Sequence, residues 1–264
     1  QLADHCEPQK SAASLGTLGL QSRKRNSKTF NTTPYPLDLF HHLLEASGWG
    51  VSRVFLEASS HGLKQNRLAG LDIDTAIFSP ITRDHMDYHP DIDDYVSSKL
   101  ILANLARNNI ILSLGCAHAP RILEHLRRKR PQARTVTVDP TLPAADWHFA
   151  DIVPDETGFE ARLRTGHATY AIHIPLLGRF NLNNLLLSMA SLATSGLPAG
   201  DLCSAASALL PAAGRMQRLN LNLPGYVYID YAHTPDALAA GLREAVRWGR
   251  AAGFRPSSDP TDFW

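Results

Sequence analysis

Apolar positions along the chain fall into two periods. Val51 to Leu56 and Thr75 to Phe78 are short apolar runs, which read as buried strands with Ala76–Phe78 as the neighbour of the first. Asn109 to Leu114 is a third, and Thr135-Val136-Thr137-Val138 alternates with β-branched residues, a strong strand signal. Trp147 to Ile152, Ala168 to Ile174 and Tyr226 to Asp230 complete the predicted strands. Helical spacing governs the segments between them. Pro36 to Leu44 carries a proline early and Gly48 just past its end. The segment from Asp91 to about Ala106 opens on the acidic turn Asp91-Ile92-Asp93-Asp94, which complements a helix dipole. Ala119 to Arg128, the run Leu185, Leu186, Met189, Leu192 and Ala193 ending at Gly196, Asp201 to Leu210, and Ala237 to Trp248 are the other predicted helices. Ser11 to Gly19 reads as a strand and turn, in which Gly16 and Gly19 permit close backbone approach, and Gln21 to Lys28 as a basic loop. Alternation of strands and helices predicts an α/β fold: a mostly parallel, doubly wound sheet flanked by helices, with a small β-rich subregion.

Composition narrows the picture. The chain has 264 residues, 44% hydrophobic, and a formal net charge of +1. That supports a large core in one domain or two and gives no nucleic-acid footprint. The basic run Arg127-Arg128-Lys129-Arg130 sits at a predicted helix end, where it complements the dipole. Three cysteines, Cys6, Cys116 and Cys203, are far apart and odd in number. They fit a reduced, cytoplasmic protein better than a disulfide framework or a zinc site. No apolar run approaches a membrane span and no secretory signal is visible. Gln1 lies in residues that read as helical, and the last residues read as a polar tail; both ends look cut.

Candidate chemistry concentrates between Phe55 and Lys99. The first strand delivers Glu57-Ala58-Ser59-Ser60-His61-Gly62 into a turn, and the second delivers Asp84, His85, Asp87 and His89 into another. Ligands in open α/β sheets sit outside the carboxyl ends of strands, so two adjacent strand ends of this kind suggest one shared site; two ordinary solvated loops are the plainer reading. Lys99 lies inside a predicted helix among Leu100, Ile101 and Leu102. It reads as a snorkelling surface residue or as a desolvated amine able to add carbon dioxide, giving a metal-binding carbamate. Asn181 and Asn184 read as caps or as amides presented to a base. His41 and His42 are adjacent, point apart and make poor paired ligands.

Seven stretches taken together carry a resemblance. They are Leu15-Gly16-Thr17-Leu18-Gly19, Asn31-Thr32-Thr33-Pro34, Glu57-Ala58-Ser59-Ser60-His61-Gly62-Leu63, Thr82-Arg83-Asp84-His85-Met86-Asp87-Tyr88-His89, Leu177-Gly178-Arg179-Phe180-Asn181, Gly214-Arg215-Met216, and Asp230-Tyr231-Ala232-His233-Thr234-Pro235-Asp236. In this order they resemble the Mur ligases, and within them the branch that adds the third peptide residue to UDP-N-acetylmuramoyl-L-alanyl-D-glutamate in peptidoglycan synthesis. The resemblance implies an ATP-dependent ligase that forms an acyl phosphate, which the amine of an amino acid then attacks. Meso-diaminopimelate is the favoured amino acid and lysine the alternative. It implies magnesium held by Glu57 and His85, with a carbamylated Lys99 organising the metal. Asn31, Thr32, Thr33, Ser59, Gln65 and Arg67 match positions that hold UDP-MurNAc-dipeptide. Asn181, Asn184, Arg215 and Asp230 match the nucleotide side. The implied partners are that sugar peptide, ATP and a diamino acid, on a monomer.

The departures shape the expectation. Members carry a phosphate-cradling G-x-x-x-x-G-K-[ST] loop, which the resemblance places before Gln1; these 264 residues contain no such pattern. Ser79-Pro80 stands where Thr-Asn is usual, and Gln217 where a glutamate is usual. Residues 1–224 are expected to form the central domain without that loop, and 225–264 the start of a following ligase domain. The chain by itself is expected to be inactive as a ligase. A non-catalytic module for the sugar peptide, or a defective remnant of the ligase, is the alternative.

Overall fold

The structure, a computed structural model, describes residues 1–251 except 83–85, 156, 167, 220, 222–225 and 234. In chain order the elements are α1 (Leu2–Cys6), β1 (Ser11–Gly16), β2 (Gly19–Ser22), β3 (Asn26–Ser27), α2 (Pro36–Gly48), β4 (Val51–Leu56), α3 (Ser60–Lys64) and β5 (Ile73–Phe78). There follow α4 (Ile92–Leu105), β6 (Ala106–Ser113), α5 (Ala119–Lys129), β7 (Arg134–Val138), β8 (Trp147–Pro154), β9 (Phe159–Thr165), β10 (Ala168–Ile174) and α6 (Arg179–Thr194). The last are α7 (Ala199–Ala206), β11 (Gln217–Leu219), β12 (Val227–Ile229) and α8 (Pro235–Ala251).

Among the described residues three sheets form, in the orders β3-β2-β1-β4, β10-β9-β8-β7-β6-β5 and β11-β12. The first mixes an antiparallel hairpin, β1 with β2, and a parallel pair, β1 with β4. In the second, β5 to β8 are parallel and β9 and β10 return antiparallel. This is the α/β architecture expected, with one correction. Strand β5 is not the neighbour of β4. Each closes the edge of a different sheet, because β1 takes the place beside β4 and β6 the place beside β5.

Burial explains the layering. Ile110, Ile111 and Leu112 on β6 are all fully buried, as expected for an inner parallel strand covered on both faces. Ile110 and Leu112 pack with Val96, Leu100 and Ala103 of α4 and Ile122 and Leu126 of α5. Ile111 faces the opposite core, with Val136, Phe149, Phe159 and Leu163 from the sheet and Leu182, Leu185, Leu186 and Met189 from α6. Helix α6 is buried on nearly every side, so its sequence is apolar all round rather than striped. It starts after Gly178, whose φ of +88° suits glycine and whose bare Cα accepts the Phe180 ring. Trp248 of α8 packs edge-on to Phe159 at 5.3 Å between ring centroids. A third, smaller core joins Ala13 and Leu15 of β1, Leu20 of β2, Leu39 and Ala46 of α2 and Leu63 of α3.

Several elements differ from the sequence expectation. The segment read as a basic loop holds β2 and β3, too short and polar for a periodic signal. Strand β9 alternates Phe159, Ala161 and Leu163 inward with Glu160, Arg162 and Arg164 outward, the pattern of a strand with one buried and one exposed face. Helix α3 has five residues, less than a periodic signal requires. Helix α7 stops at Ala206, four residues before the expected end. Among the described residues, no helix is long and apolar enough to cross a membrane.

Candidate functional site

Strands β1 and β4 run parallel in register, Leu15 beside Leu56, so their carboxyl ends open side by side. The amide of Glu57 donates to the carbonyl of Leu15 at 2.9 Å and extends the pairing by one residue. The strand pair that builds a site is therefore β1/β4 rather than the expected β4/β5. Glu57 lies across Gly16: a Cβ there would stand 2.3 Å from the Glu57 Cδ, so the close approach depends on glycine. The Glu57 carboxylate Oε2 accepts from the Thr17 amide at 3.0 Å and the Thr17 hydroxyl at 2.8 Å. A hydroxyl has one hydrogen, so the 3.0 Å contact between Thr17 and Thr32 is donated by Thr32. Glu57 stays exposed, a fixed carboxylate at the mouth of the site.

Beneath it Thr33 is 1% exposed and acts as a clamp. Its hydroxyl donates to the Glu57 carbonyl at 2.7 Å and accepts from the Ser59 amide at 2.9 Å. Arg67, also buried, donates from Nη1 to the Thr33 carbonyl at 2.8 Å. Its Nε and Nη2 both reach the Gln65 Oε1, at 3.0 and 2.7 Å, and its guanidinium stacks 4.0 Å from the centroid of the Tyr35 ring. Gln65 in turn donates to the Tyr88 hydroxyl at 3.2 Å. The Ser59 hydroxyl caps α3 by accepting from the Gly62 amide. Thr32, Thr33, Ser59, Gln65 and Arg67 are thus brought into one cluster, and Asn31 sits half-buried in the same loop. Thr33 and Arg67 form its floor, while Asn31, Thr32 and Gln65 are the more open members.

Lys99 enters from α4. Its Nζ donates to the carbonyl of Ala58, next to Glu57, at 3.1 Å, and lies 5.8 Å from the Tyr95 ring centroid. The snorkelling reading fails here: the amine turns inward to the tip of β4. Glu57 and Lys99 therefore flank one loop. His85, the third member of the expected metal set, lies outside the described residues.

The other expected contacts are local. Asn181 Nδ2 donates to the Leu177 carbonyl at 2.7 Å, and its Oδ1 accepts from Asn184 at 3.2 Å, which makes the two a first-turn lock on α6. Buried Asn183 accepts from Ser113 of β6 at 2.8 Å. Asp230 accepts from the amides of Met216 at 2.8 Å and Ala232 at 2.9 Å, and the Arg215 guanidinium lies over the Tyr231 ring. Gln217 accepts from the Gly214 amide. The expected nucleotide-side residues thus fall into two separately held pairs.

The sequence reading missed a polar network beside Lys99. His89 is 1% exposed; its Nδ1 meets the Asp94 carboxylate at 2.6 Å and its Nε2 the Ser60 hydroxyl at 2.9 Å. Lys64 donates to the same Asp94 oxygen at 2.6 Å. The Lys64 contact first, and His89 after it, hold the Asp94 carboxyl below its usual range. The only hint in the sequence was the pairing of a Ser-Ser-His turn with an Asp-Tyr-His loop. Among the described residues one trio of metal-competent side chains gathers, Asp155, Glu160 and His173, at the β9/β10 edge. There His173 pairs with Glu160 at 2.7 Å, and Asp155 turns its Oδ1 to Thr157 and Gly158.

Residues 2–192 match the family model for the Mur ligase middle domain. The chain is 36% identical over 239 residues to UDP-N-acetylmuramoyl-L-alanyl-D-glutamate–2,6-diaminopimelate ligase of Pseudomonas aeruginosa, covering 90% of this chain and 48% of that protein. It is 31% identical over 236 residues to the corresponding L-lysine ligase of Staphylococcus aureus, covering 87% and 47%. A solved structure of a 2,6-diaminopimelate ligase of the same name superposes with a TM-score of 0.80 at 32% identity, over 93% of this chain and 50% of that one. Folylpolyglutamate synthase of Mycobacterium tuberculosis, complexed with ADP and AMPPCP, shares the fold at a TM-score of 0.73 and 16% identity, over 94% of this chain and 63% of that one. The chain spans about half the length of the curated relatives it matches. With a family model covering most of its residues and relatives above 30% identity along nine-tenths of its length, this chain belongs to the Mur ligase middle-domain family.

Proposed function

We propose that this chain is the sugar-peptide-binding and metal-organising part of a cytoplasmic, ATP-dependent ligase that adds a diamino acid to UDP-MurNAc-L-Ala-D-Glu. The observation that carries the reading is the convergence of Glu57, Thr32, Thr33, Ser59, Gln65, Arg67 and Lys99 at the carboxyl ends of β1 and β4. Asn31, Thr32 and Gln65 would meet the sugar peptide, over the floor of Thr33 and Arg67. Asn181 and Asn184 would face the adenine, and Arg215 and Asp230 the rest of the nucleotide. The chemistry joins a carboxylate to an amine through an acyl phosphate, and most of its barrier is lowered by positioning and by charge stabilisation.

Magnesium, when bound, neutralises the crowded phosphoryl oxygens. The Glu57 carboxylate, steered by two Thr17 donors, is a hard oxygen ligand that suits it. Lys99 as an ammonium repels a cation, and it fits the ion only as a carbamate. We therefore propose the carbamate on Lys99, with Glu57 and His85 as its companions. Diaminopimelate is the amino acid proposed, since relatives bearing that name match over nine-tenths of this chain. Residues 1–224 are proposed as the central domain and 225–264 as the start of the next, in a monomer.

These 264 residues hold no G-x-x-x-x-G-K-[ST] pattern, which favours sugar-peptide binding over ATP turnover by the chain alone. Separate calorimetric titrations with UDP-MurNAc-L-Ala-D-Glu and with ATP test the reading. Binding of the sugar peptide that Gln65→Ala weakens supports it. No heat with the sugar peptide at millimolar concentration rejects it.

A further inference from the structure

Building on the proposed sugar-peptide site, we infer that His89 is a positioning residue that fixes the α3 turn against α4 through Ser60 and Asp94. Helix α3 has five residues, too few to hold a helical turn unaided, yet its first turn carries the loop with Glu57, Ala58 and Ser59. Its place must be imposed from outside. Ser60 and His89 are each 1% exposed, and the serine hydroxyl meets the ring at 2.9 Å. On the other side of the ring Asp94 belongs to the first turn of α4 and accepts from Nδ1 at 2.6 Å. A carboxylate only accepts, so Nδ1 carries the hydrogen and Nε2 is turned to the serine. The Tyr88 and Tyr95 rings enclose the imidazole at 4.9 and 5.2 Å between centroids.

The bridge spans the two elements whose relative register the site needs. Asp94 and Lys99 lie on one helix, and Lys99 donates to the Ala58 carbonyl, just before the Ser59 cap. A one-ångström shift of α3 and the turn before it relative to α4 would stretch that contact beyond hydrogen-bond range. The Lys64–Asp94 ion pair lies at the rim and is part-exposed, so it is the weaker tie. Among the described residues, the side-chain hydrogen bonds of His89 go to Ser60 and Asp94 and not to a residue assigned to the sugar peptide. Its effect passes through Ser60.

The test is a double-mutant cycle on the full chain, read as affinity for UDP-MurNAc-L-Ala-D-Glu at a temperature where circular dichroism shows every variant folded. Ser60→Ala and His89→Phe are each expected to weaken binding about tenfold, and the double variant no more than either one. His89→Gln, whose amide reaches the Nε2 position, is expected to recover most of the loss. Wild-type affinity in both single variants, or losses that multiply in the double variant, overturns the inference. A second arm reads amide hydrogen exchange without ligand. Both single variants are expected to speed exchange at Ser59 to Leu63 by about tenfold while leaving β6 unchanged. Unchanged exchange there overturns the inference even if the wild-type chain fails to bind the sugar peptide, a result that would count against the proposed function instead.

Discussion

At the β1/β4 end six hydrogen bonds that tie the site together join residues 24 to 41 positions apart in the chain, beside local ones at Ser59 and Gln65. At Asn181 and Asp230 the corresponding bonds join residues 2 to 14 apart. The first region exists only when β1, β4, α3 and α4 are all in place. The second consists of caps made within one helix start or one turn, and of one bond across the β11/β12 pair. The proposed sugar-peptide site is therefore tied to the global fold, whereas the proposed nucleotide side is built mostly from short-range pieces.

Substitutions can break this contrast, beginning with the largest effect. Arg67→Ala removes a buried guanidinium and strands the Thr33 carbonyl, and should lower unfolding stability by about 3 kcal/mol in urea melts. Thr33→Val removes a hydroxyl that both donates and accepts, and should lose about 2 kcal/mol by the same measurement. Asn181→Ala breaks one capping bond and leaves the exposed Asn184 to water, so about 1 kcal/mol is expected. Equal losses at Thr33 and Asn181 would erase the distinction between the two regions.

Acid sharpens it with a smaller effect. The Asp94 carboxyl is held low by Lys64 and then by His89. Its contribution to stability is present above the unfolded carboxylate value and is lost as pH falls through the lower folded one. Urea melts of wild type and Asp94→Asn should therefore differ at neutral pH, with a gap that narrows as pH falls below the unfolded carboxylate value of about 4. A gap that persists undiminished into strong acid would show that Asp94 acts by shape rather than by charge.

Much of this was legible in the chain, where local rules apply. Pro36 and Gly48 marked α2, Asp91 marked the start of α4, and alternation over 135–138 marked β7. The roles of Gly16 and Gly19 as points of close approach also showed, since Glu57 and the Ser27 carbonyl press on them. What sequence could not show was pairing. Adjacent position in the chain suggested β5 beside β4, but β1, some forty residues earlier, takes that edge. The same blindness hid the partners of Thr17, whose two bonds aim Glu57, and of His89, which lie 29 residues behind and 5 ahead. Residue type marks a group able to bond, and only the fold decides with what. Asp94 illustrates this: its place in the first turn explained it fully until the buried imidazole was seen beside it.

The most direct test is a hydrogen-exchange footprint of the chain with and without UDP-MurNAc-L-Ala-D-Glu. The expected result is slowed exchange across residues 31–33 and 57–67, with 179–184 and 214–219 unchanged. Protection confined to the latter two segments, with the β1/β4 end unaltered, would contradict the placing of the sugar peptide at Glu57 and α3.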